Sequence, residues 1–235
     1  MRRSLQVVAA IALLAMITPA LTAGEITGTV KWEGPAPTMK PLKMDADPVC
    51  MEHHKDEPAR VETLVLGPGQ EMANVLVRVV SGLPDQKWDA PKEAAVLDQN
   101  GCMYVPHVLG VMVDQDVKIL NSDGILHNVN VQAKVNRGFN LGMPKGTNEA
   151  VKQFSREEHP ITLKCNVHPW MKAYISVFSH PFFAVTGEDG SFAIKNLPDG
   201  TYEIEAWHER LGTQTAKVTV SGGGAQTADF TFSKP

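Results

Sequence analysis

The sequence contains little of what many classes of protein require. It has no basic run or stripe and its formal charge is −4, so we do not expect a nucleic acid as a partner. After the N-terminus no stretch is apolar enough to cross a membrane. The motifs G-x-S-x-G and H-E-x-x-H and a glycine-rich phosphate loop are also missing. The missing motifs give no sign of hydrolytic or phosphate-binding chemistry, and we predict a protein that is not an enzyme.

The N-terminal residues predict export. Arg2 and Arg3 precede an apolar run from Leu5 to Ile17, and small residues follow as far as Ala23. The run is too short to span a bilayer, and this order of charged, apolar and small residues is typical of a cleaved secretory signal. We therefore predict a signal peptide over residues 1–23 and a periplasmic or secreted mature protein without a membrane span.

Only three cysteines occur, which is an odd number for an exported chain. In an oxidising compartment two of them can pair, and the third then needs another role. Cys165 lies three residues before a histidine and six before a methionine, so it is the candidate metal ligand. Cys50 and Cys102 are then the disulfide candidate.

Alternation of apolar and polar residues predicts an all-β protein. The alternating runs are rich in β-branched residues and are separated by Asp-Gly and Asn-Gly turn signals. The clearest runs are residues 26–30, 74–80 and 173–177. The most helix-like stretch, residues 147–158, predicts one short helix or none.

The C-terminal stretch AVTGEDGSFAIKNLPDGTYEIEAWH joins short strands through two Asp-Gly turns. It resembles the carboxypeptidase regulatory-like modules, which are small β-sandwiches related in shape to transthyretin. The stretch EITGTVKWEGPAP near the N-terminus is similar to the first strand of such a module. We therefore predict a discontinuous sandwich formed by residues 24–89 and 179–235, with a second β domain, residues 90–178, inserted into it. The rival arrangement is a plain series of domains.

Two stretches, VKILNSDGILHNVNV and LKCNVHPWMKAY, carry the candidate metal ligands. Together they offer two imidazoles, a thiolate and a thioether, which is the donor set of mononuclear type 1 copper sites. Zinc fits less well, because a thioether is a poor zinc ligand and only three good donors would remain. The predicted ligands of one copper ion are His127, Cys165, His168 and Met171.

Both stretches resemble the cupredoxins, and most of all the amicyanin and plastocyanin type, which are Greek-key β-sandwiches. The resemblance implies that the backbone of Asn128 bonds to the cysteine sulfur. It also implies that His168 lies near the surface as the electron exit, with Pro169 and Trp170 in an apolar rim where a partner docks. The sequence departs from the family at Asp114, where a glycine is usual.

The resemblance implies an exported protein that carries single electrons between redox partners such as a cytochrome or a dehydrogenase. One alternative is a periplasmic protein that binds or delivers copper, and another is a β-sandwich assembly module of an oxidoreductase complex. The first alternative would gain from a second copper site, which would need reduced cysteines at 50 and 102. Its further ligands would come from His53, His54, Met103 or His107.

Overall fold

The computed structural model describes residues 23–147 and 149–234, and their regular secondary structure is almost entirely β-strand. They form seventeen strands and one α-helix, so the predicted all-β class is confirmed. The elements are, in chain order, β1 Gly24–Glu33, α1 Pro48–His53, β2 Leu76–Ser81, β3 Ala95–Asn100, β4 Met103–Val105, β5 Val108–Met112, β6 Val117–Asn121, β7 His127–Gln132, β8 Phe139–Met143, β9 Glu149–Lys152, β10 Glu158–Lys164, β11 Lys172–Phe178, β12 Phe183–Val185, β13 Ser191–Leu197, β14 Gly200–His208, β15 Gly212–Val220, β16 Ala225–Thr227 and β17 Phe230–Ser233.

The sequence predicts a signal peptide over residues 1–23 and at most one short helix, most readily in residues 147–158. The predicted signal peptide lies outside the described residues except for Ala23. In the part of the chain that is described, no helix is long and apolar enough to cross a membrane. The stretch 147–158 contains strand β9 and the start of β10 instead of a helix. Pairing of β9 with β6 outweighs the weak helical preference of this polar stretch.

The first sandwich is made of strands from both ends of the chain. One of its sheets has the order β13–β1–β16, with β17 also paired to β1, and the other has the order β12–β2–β14–β15. Its core includes Ile26, Tyr202 and Ile204, all buried. At Gly28 a Cβ atom would lie 1.9 Å from the carbonyl oxygen of Ala228. Strand β1 can therefore approach Ala228 this closely only because residue 28 has no side chain.

The second sandwich contains strands β3 to β11. One sheet has the order β5–β11–β10–β7–β8 and the other has the order β4–β3–β6–β9. The pairs β5–β11 and β3–β6 are parallel, and each sheet combines hairpin-paired strands such as β7–β8 with strands that are distant in sequence, as in Greek-key sandwiches. Asp114, in the turn after β5, has φ +62°, a left-handed conformation that aspartate tolerates better than most residues.

The two sandwiches meet at an apolar cluster. Leu76 and Trp207 of the first pack against Val108, Tyr174 and Phe178 of the second. Two buried ionisable side chains, Glu209 of the first sandwich and His107 of the second, also meet in this contact.

A covering segment, residues 42–59, precedes the second sandwich in sequence but packs against it. Met44 and Cys50 are buried in the core of the second sandwich, with Leu42 and Ala59 at its edge. Helix α1 begins after Asp47, whose side chain accepts hydrogen bonds from backbone N–H groups of the first turn. This segment therefore lies beside the end of the second sandwich that carries the candidate ligands.

Candidate metal centre

Three of the four predicted ligands come together in the second sandwich. His127 begins β7, and Cys165 and His168 lie in the loop between β10 and β11. Their donor atoms all lie within 4.8 Å of one another. The two imidazole Nδ1 atoms are 2.9 Å apart, and Cys165 Sγ is 3.9 Å from Nδ1 of His168. All three side chains are buried.

The loop that carries Cys165 and His168 is closed by its own backbone. Cys165 N–H donates to the carbonyl of Met171 (3.2 Å), and Met171 N–H donates to the carbonyl of His168 (3.0 Å). The backbone N–H of His168 points at Cys165 Sγ over 3.4 Å. Met171 is fully buried and belongs to the same apolar cluster as Cys165. Because the loop joins two paired antiparallel strands, its ends are fixed.

The surroundings of Cys165 favour its thiolate. Burial acts to raise the pKa of the thiol, but a hydrogen bond to His127 and backbone N–H groups, first that of Asn128 and then that of His168, hold the pKa below its ordinary value. The side-chain oxygen of Asn128 lies 3.4 Å from the sulfur, where it can accept a hydrogen bond only from the protonated thiol and so acts in the opposite direction. Sequence reasoning expected only the backbone of Asn128 at this sulfur.

Each histidine also contacts a carboxylate that the sequence reasoning did not single out. Nε2 of His127 lies 2.8 Å from Asp123 Oδ2, and both side chains are inaccessible to solvent (0% and 1% exposed). Burial acts to lower the pKa of His127, but its hydrogen bonds to Asp123 and Cys165 raise it to about 9. The only sequence signal for Asp123 is its place in the N-x-D pattern four residues before the histidine.

Asp123 is itself held by the hairpin between β3 and β4. The backbone N–H groups of Gly101 and Cys102 donate to its two oxygens, each over 2.8 Å. Gly101 and Cys102 have φ of 62° and 56°, as in the tight turns that join twisted antiparallel strands. The carboxylate thus has a fixed orientation.

His168 is covered rather than exposed. Only 2% of the residue is accessible, and its Nε2 lies 3.2 Å from Asp47 Oδ2 in the covering segment. The resemblance implies that His168 lies near the surface; in the structure a segment from 121 residues earlier covers it. Of the predicted rim, Pro169 is exposed, whereas Trp170 is half-buried and donates from Nε1 to the carbonyl of Cys102 (3.1 Å).

Cys50 and Cys102 form a disulfide, which is the pairing predicted from the sequence. It leaves neither thiolate for the alternative second copper site. Among the residues with described positions, no group of three or more candidate ligand atoms includes His53, His54 or His107. Cys165 is the free cysteine of the described chain.

Comparison with known proteins finds two kinds of similarity. Residues 168–233 match the sequence profile of the carboxypeptidase regulatory-like domain family. The match begins in the candidate metal loop, at His168, and does not include β1 or β2. No curated protein matches the sequence.

The second similarity is to solved structures of copper proteins. A copper-containing nitrite reductase from Thermus scotoductus SA-01 is 20% identical, with a TM-score of 0.35, and the match covers 44% of this chain but only 26% of the reductase. A purple cupredoxin from Nitrosopumilus maritimus is 21% identical, with a TM-score of 0.30 and coverage of 35% and 98%. An oxidised amicyanin variant is 22% identical, with a TM-score of 0.33 and coverage of 43% and 97%. The resemblances to cupredoxins and to regulatory-like domains seen in the sequence are both found again, but at this level of similarity the structures carry no information about the site.

Proposed function

We propose that the protein carries single electrons between redox partners through one type 1 copper ion held by His127, Cys165, His168 and Met171. The observation that carries the proposal is the meeting of two imidazole Nδ1 atoms and one cysteine sulfur within 4.8 Å in a buried position. No substrate is chemically changed in this function. The finer elements, namely export, a cytochrome or dehydrogenase as partner, and docking at Pro169 and Trp170, stay predictions.

The residues fit a copper ion by their chemistry. Thiolate and thioether sulfur favour Cu(I), imidazole nitrogen keeps Cu(II) accessible, and copper bound by this set supplies a one-electron couple. The Nε2 atoms of His127 and His168 are both occupied by carboxylates, so the Nδ1 atoms are the ones that face the candidate centre. Because the ligands come from strand ends and from a closed loop, the protein can hold them in place before the metal arrives.

The test is a copper titration of the purified mature protein. Addition of Cu(II) should give one bound copper per chain and an intense visible charge-transfer band that a mild reductant bleaches. Cys165→Ser should abolish the band, because it removes the thiolate. Met171→Leu should shift the band, because it removes the thioether. Met103→Leu is the matched control and should leave the band unchanged.

The copper-handling alternative makes the opposite prediction. Several coppers would bind without an intense band, and affinity would survive Cys165→Ser. That result would overturn the electron-transfer proposal and put copper capture or delivery in its place.

We also propose that the copper-binding sandwich is inserted into the regulatory-like one. Strand pairing supports this, since no described ladder joins β3–β11 to strands of the first sandwich. The covering segment, which precedes the proposed insertion, nevertheless packs on the inserted part. Separate expression of residues 90–178 and comparison of their histidine NMR signals with those of the intact chain would test how far the insertion is autonomous.

A further inference from the structure

The Nε2 atom of each candidate imidazole lies close to a carboxylate. Asp123 lies 2.8 Å from Nε2 of His127, and Asp47 lies 3.2 Å from Nε2 of His168. The two aspartates come from different parts of the chain, one from the loop before β7 and the other from the covering segment. Each imidazole therefore has its outer nitrogen bonded and its inner nitrogen, Nδ1, directed at the other imidazole 2.9 Å away.

The two carboxylates are tied to the two halves of the disulfide. Asp123 accepts a hydrogen bond from the backbone N–H of Cys102 over 2.8 Å. Asp47 accepts one from the backbone N–H of Cys50 over 3.4 Å and a shorter one, 2.9 Å, from Val49. Because Cys50 and Cys102 are covalently joined, a continuous support runs from one imidazole through the disulfide to the other.

We propose that Asp123 and Asp47 are positioning residues of the copper centre, and that the Cys50–Cys102 disulfide holds the two of them in place. This inference rests on the proposed copper function. A carboxylate at Nε2 keeps the proton on that nitrogen, so the Nδ1 lone pair is free for the metal, and it makes the imidazole a stronger donor. A stronger donor with a nearby negative charge stabilises Cu(II) more than Cu(I).

Removing either carboxylate should therefore weaken copper binding unequally in the two oxidation states. Loss of a partner behind a histidine ligand typically costs about 10–100-fold in metal affinity. We expect Asp123→Asn to reduce Cu(II) affinity by an amount in this range, and Cu(I) affinity by clearly less. Asp47→Asn should act in the same direction but less strongly, because Asp47 is 26% exposed and its contact is longer.

The experiment measures Cu(I) and Cu(II) affinities by competition with chelators, at one pH, for both variants. Asp45→Asn is the matched control, since Asp45 is exposed and lies in the same covering segment. Equal losses for both oxidation states in Asp123→Asn, or an Asp47→Asn variant that equals the Asp45→Asn control, would overturn the corresponding assignment. Retention of the wild-type ratio of affinities in both variants would overturn the proposal as a whole.

A second readout needs no copper. In the apoprotein, ¹⁵N NMR of the histidine rings reports which nitrogen carries the proton, provided that the pH lies above the pKa of about 9 of His127, where its ring is neutral. We expect an Nε2–H tautomer for His127 that is lost in Asp123→Asn, and the same signals should be disturbed when Cys50 and Cys102 are both replaced by serine. Unchanged tautomers in all variants would contradict the positioning role. If the tautomers change as expected but no thiolate–copper band ever forms, the supports are correct and the electron-transfer function is wrong.

Discussion

Glu209→Gln should remove the main ionic contact between the two sandwiches. Glu209 follows β14 of the first sandwich, and its Oε1 lies 2.7 Å from Nε2 of His107, which lies between β4 and β5 of the second. The side chains are 3% and 5% exposed, respectively. Tyr174 donates its hydroxyl to Oε2 of Glu209 over 2.7 Å, and Lys172 Nζ lies 3.2 Å from the same oxygen. The substitution keeps the shape of the side chain and removes the charge.

The size of the effect follows from the pKa of His107. Burial acts to lower this pKa, but hydrogen bonds to Glu209 and then Glu62 raise it to about 9, above its ordinary 6.5. A histidine whose pKa is raised by folding stabilises the protein fully below pH 6.5 and loses this contribution as pH rises through 9. The corresponding free energy is about 3 kcal/mol. Removing one partner of a buried pair at low pH costs a comparable amount, about 3–5 kcal/mol.

Urea denaturation of the apoprotein at pH 6 and pH 9, at fixed ionic strength, measures both quantities. The wild-type free energy of unfolding should fall between the two pH values by more than that of Glu209→Gln, with a difference of at most about 3 kcal/mol, because Glu62 also raises the pKa of His107 and remains in the variant. His127 titrates in the same range, but it is present in both proteins and cancels in the comparison. Glu188→Gln, an exposed position on the first sandwich, should behave as wild type. Parallel pH profiles for wild type and Glu209→Gln would refute the assignment of this stability to the His107 pair.

Three further changes test the framework, and each is measured by urea or thermal denaturation. Replacing Cys50 and Cys102 by serine should lower the free energy of unfolding by about 4 kcal/mol, because the cysteines are 52 residues apart and the loop between them opens. A loss below about 1 kcal/mol would contradict the view that the disulfide stabilises the protein by closing this loop. Gly28→Ala should cost about 1–3 kcal/mol, since its Cβ would lie 1.9 Å from the carbonyl oxygen of Ala228, and an unchanged melting temperature would speak against this contact. Trp207→Ala should cost about 3–5 kcal/mol, because Trp207 lies in the cluster between the sandwiches. We expect one cooperative unfolding transition; two separate transitions in wild type would show that the sandwiches unfold independently.

The site could be predicted from the sequence where its geometry is local. Cys165 and His168 are three residues apart in a loop between strands, and this spacing is enough to bring a sulfur and an imidazole together. His127 was found because a histidine at the start of a strand follows a recognisable N-x-D pattern. The disulfide of Cys50 and Cys102 followed from the odd number of cysteines and from the metal motif at the third.

The parts that escaped prediction depend on contacts between distant segments. Asp47 lies 121 residues before His168, and nothing in the spacing around either residue shows that they meet. The burial of His168 follows from the packing of the whole covering segment, which the local motif does not contain. For the same reason the stretch 147–158 became strand, since β6 offered it a pairing edge.

Strand β11 connects the loop that carries the candidate ligands Cys165 and His168 to the contact between the sandwiches. It begins directly after Met171, and nearly all of its residues are buried although strands of sandwiches usually expose alternate side chains. The side chains of β11 do alternate between two faces, but both faces are buried. Ala173, Ile175 and Val177 face the core that contains Cys165, whereas Tyr174 and Phe178 face the first sandwich.

This double burial explains why nearly every residue of KAYISVF is buried, although β11 lies in a mixed sheet, parallel to β5 and antiparallel to β10. It also means that the second sandwich, cut at residues 90 and 178, would expose the face of β11 that carries Tyr174. The same cut would leave Cys102 without its disulfide partner and His168 without Asp47. The loop that carries Cys165 and His168 is therefore supported from two sides by parts of the chain that lie outside residues 90–178.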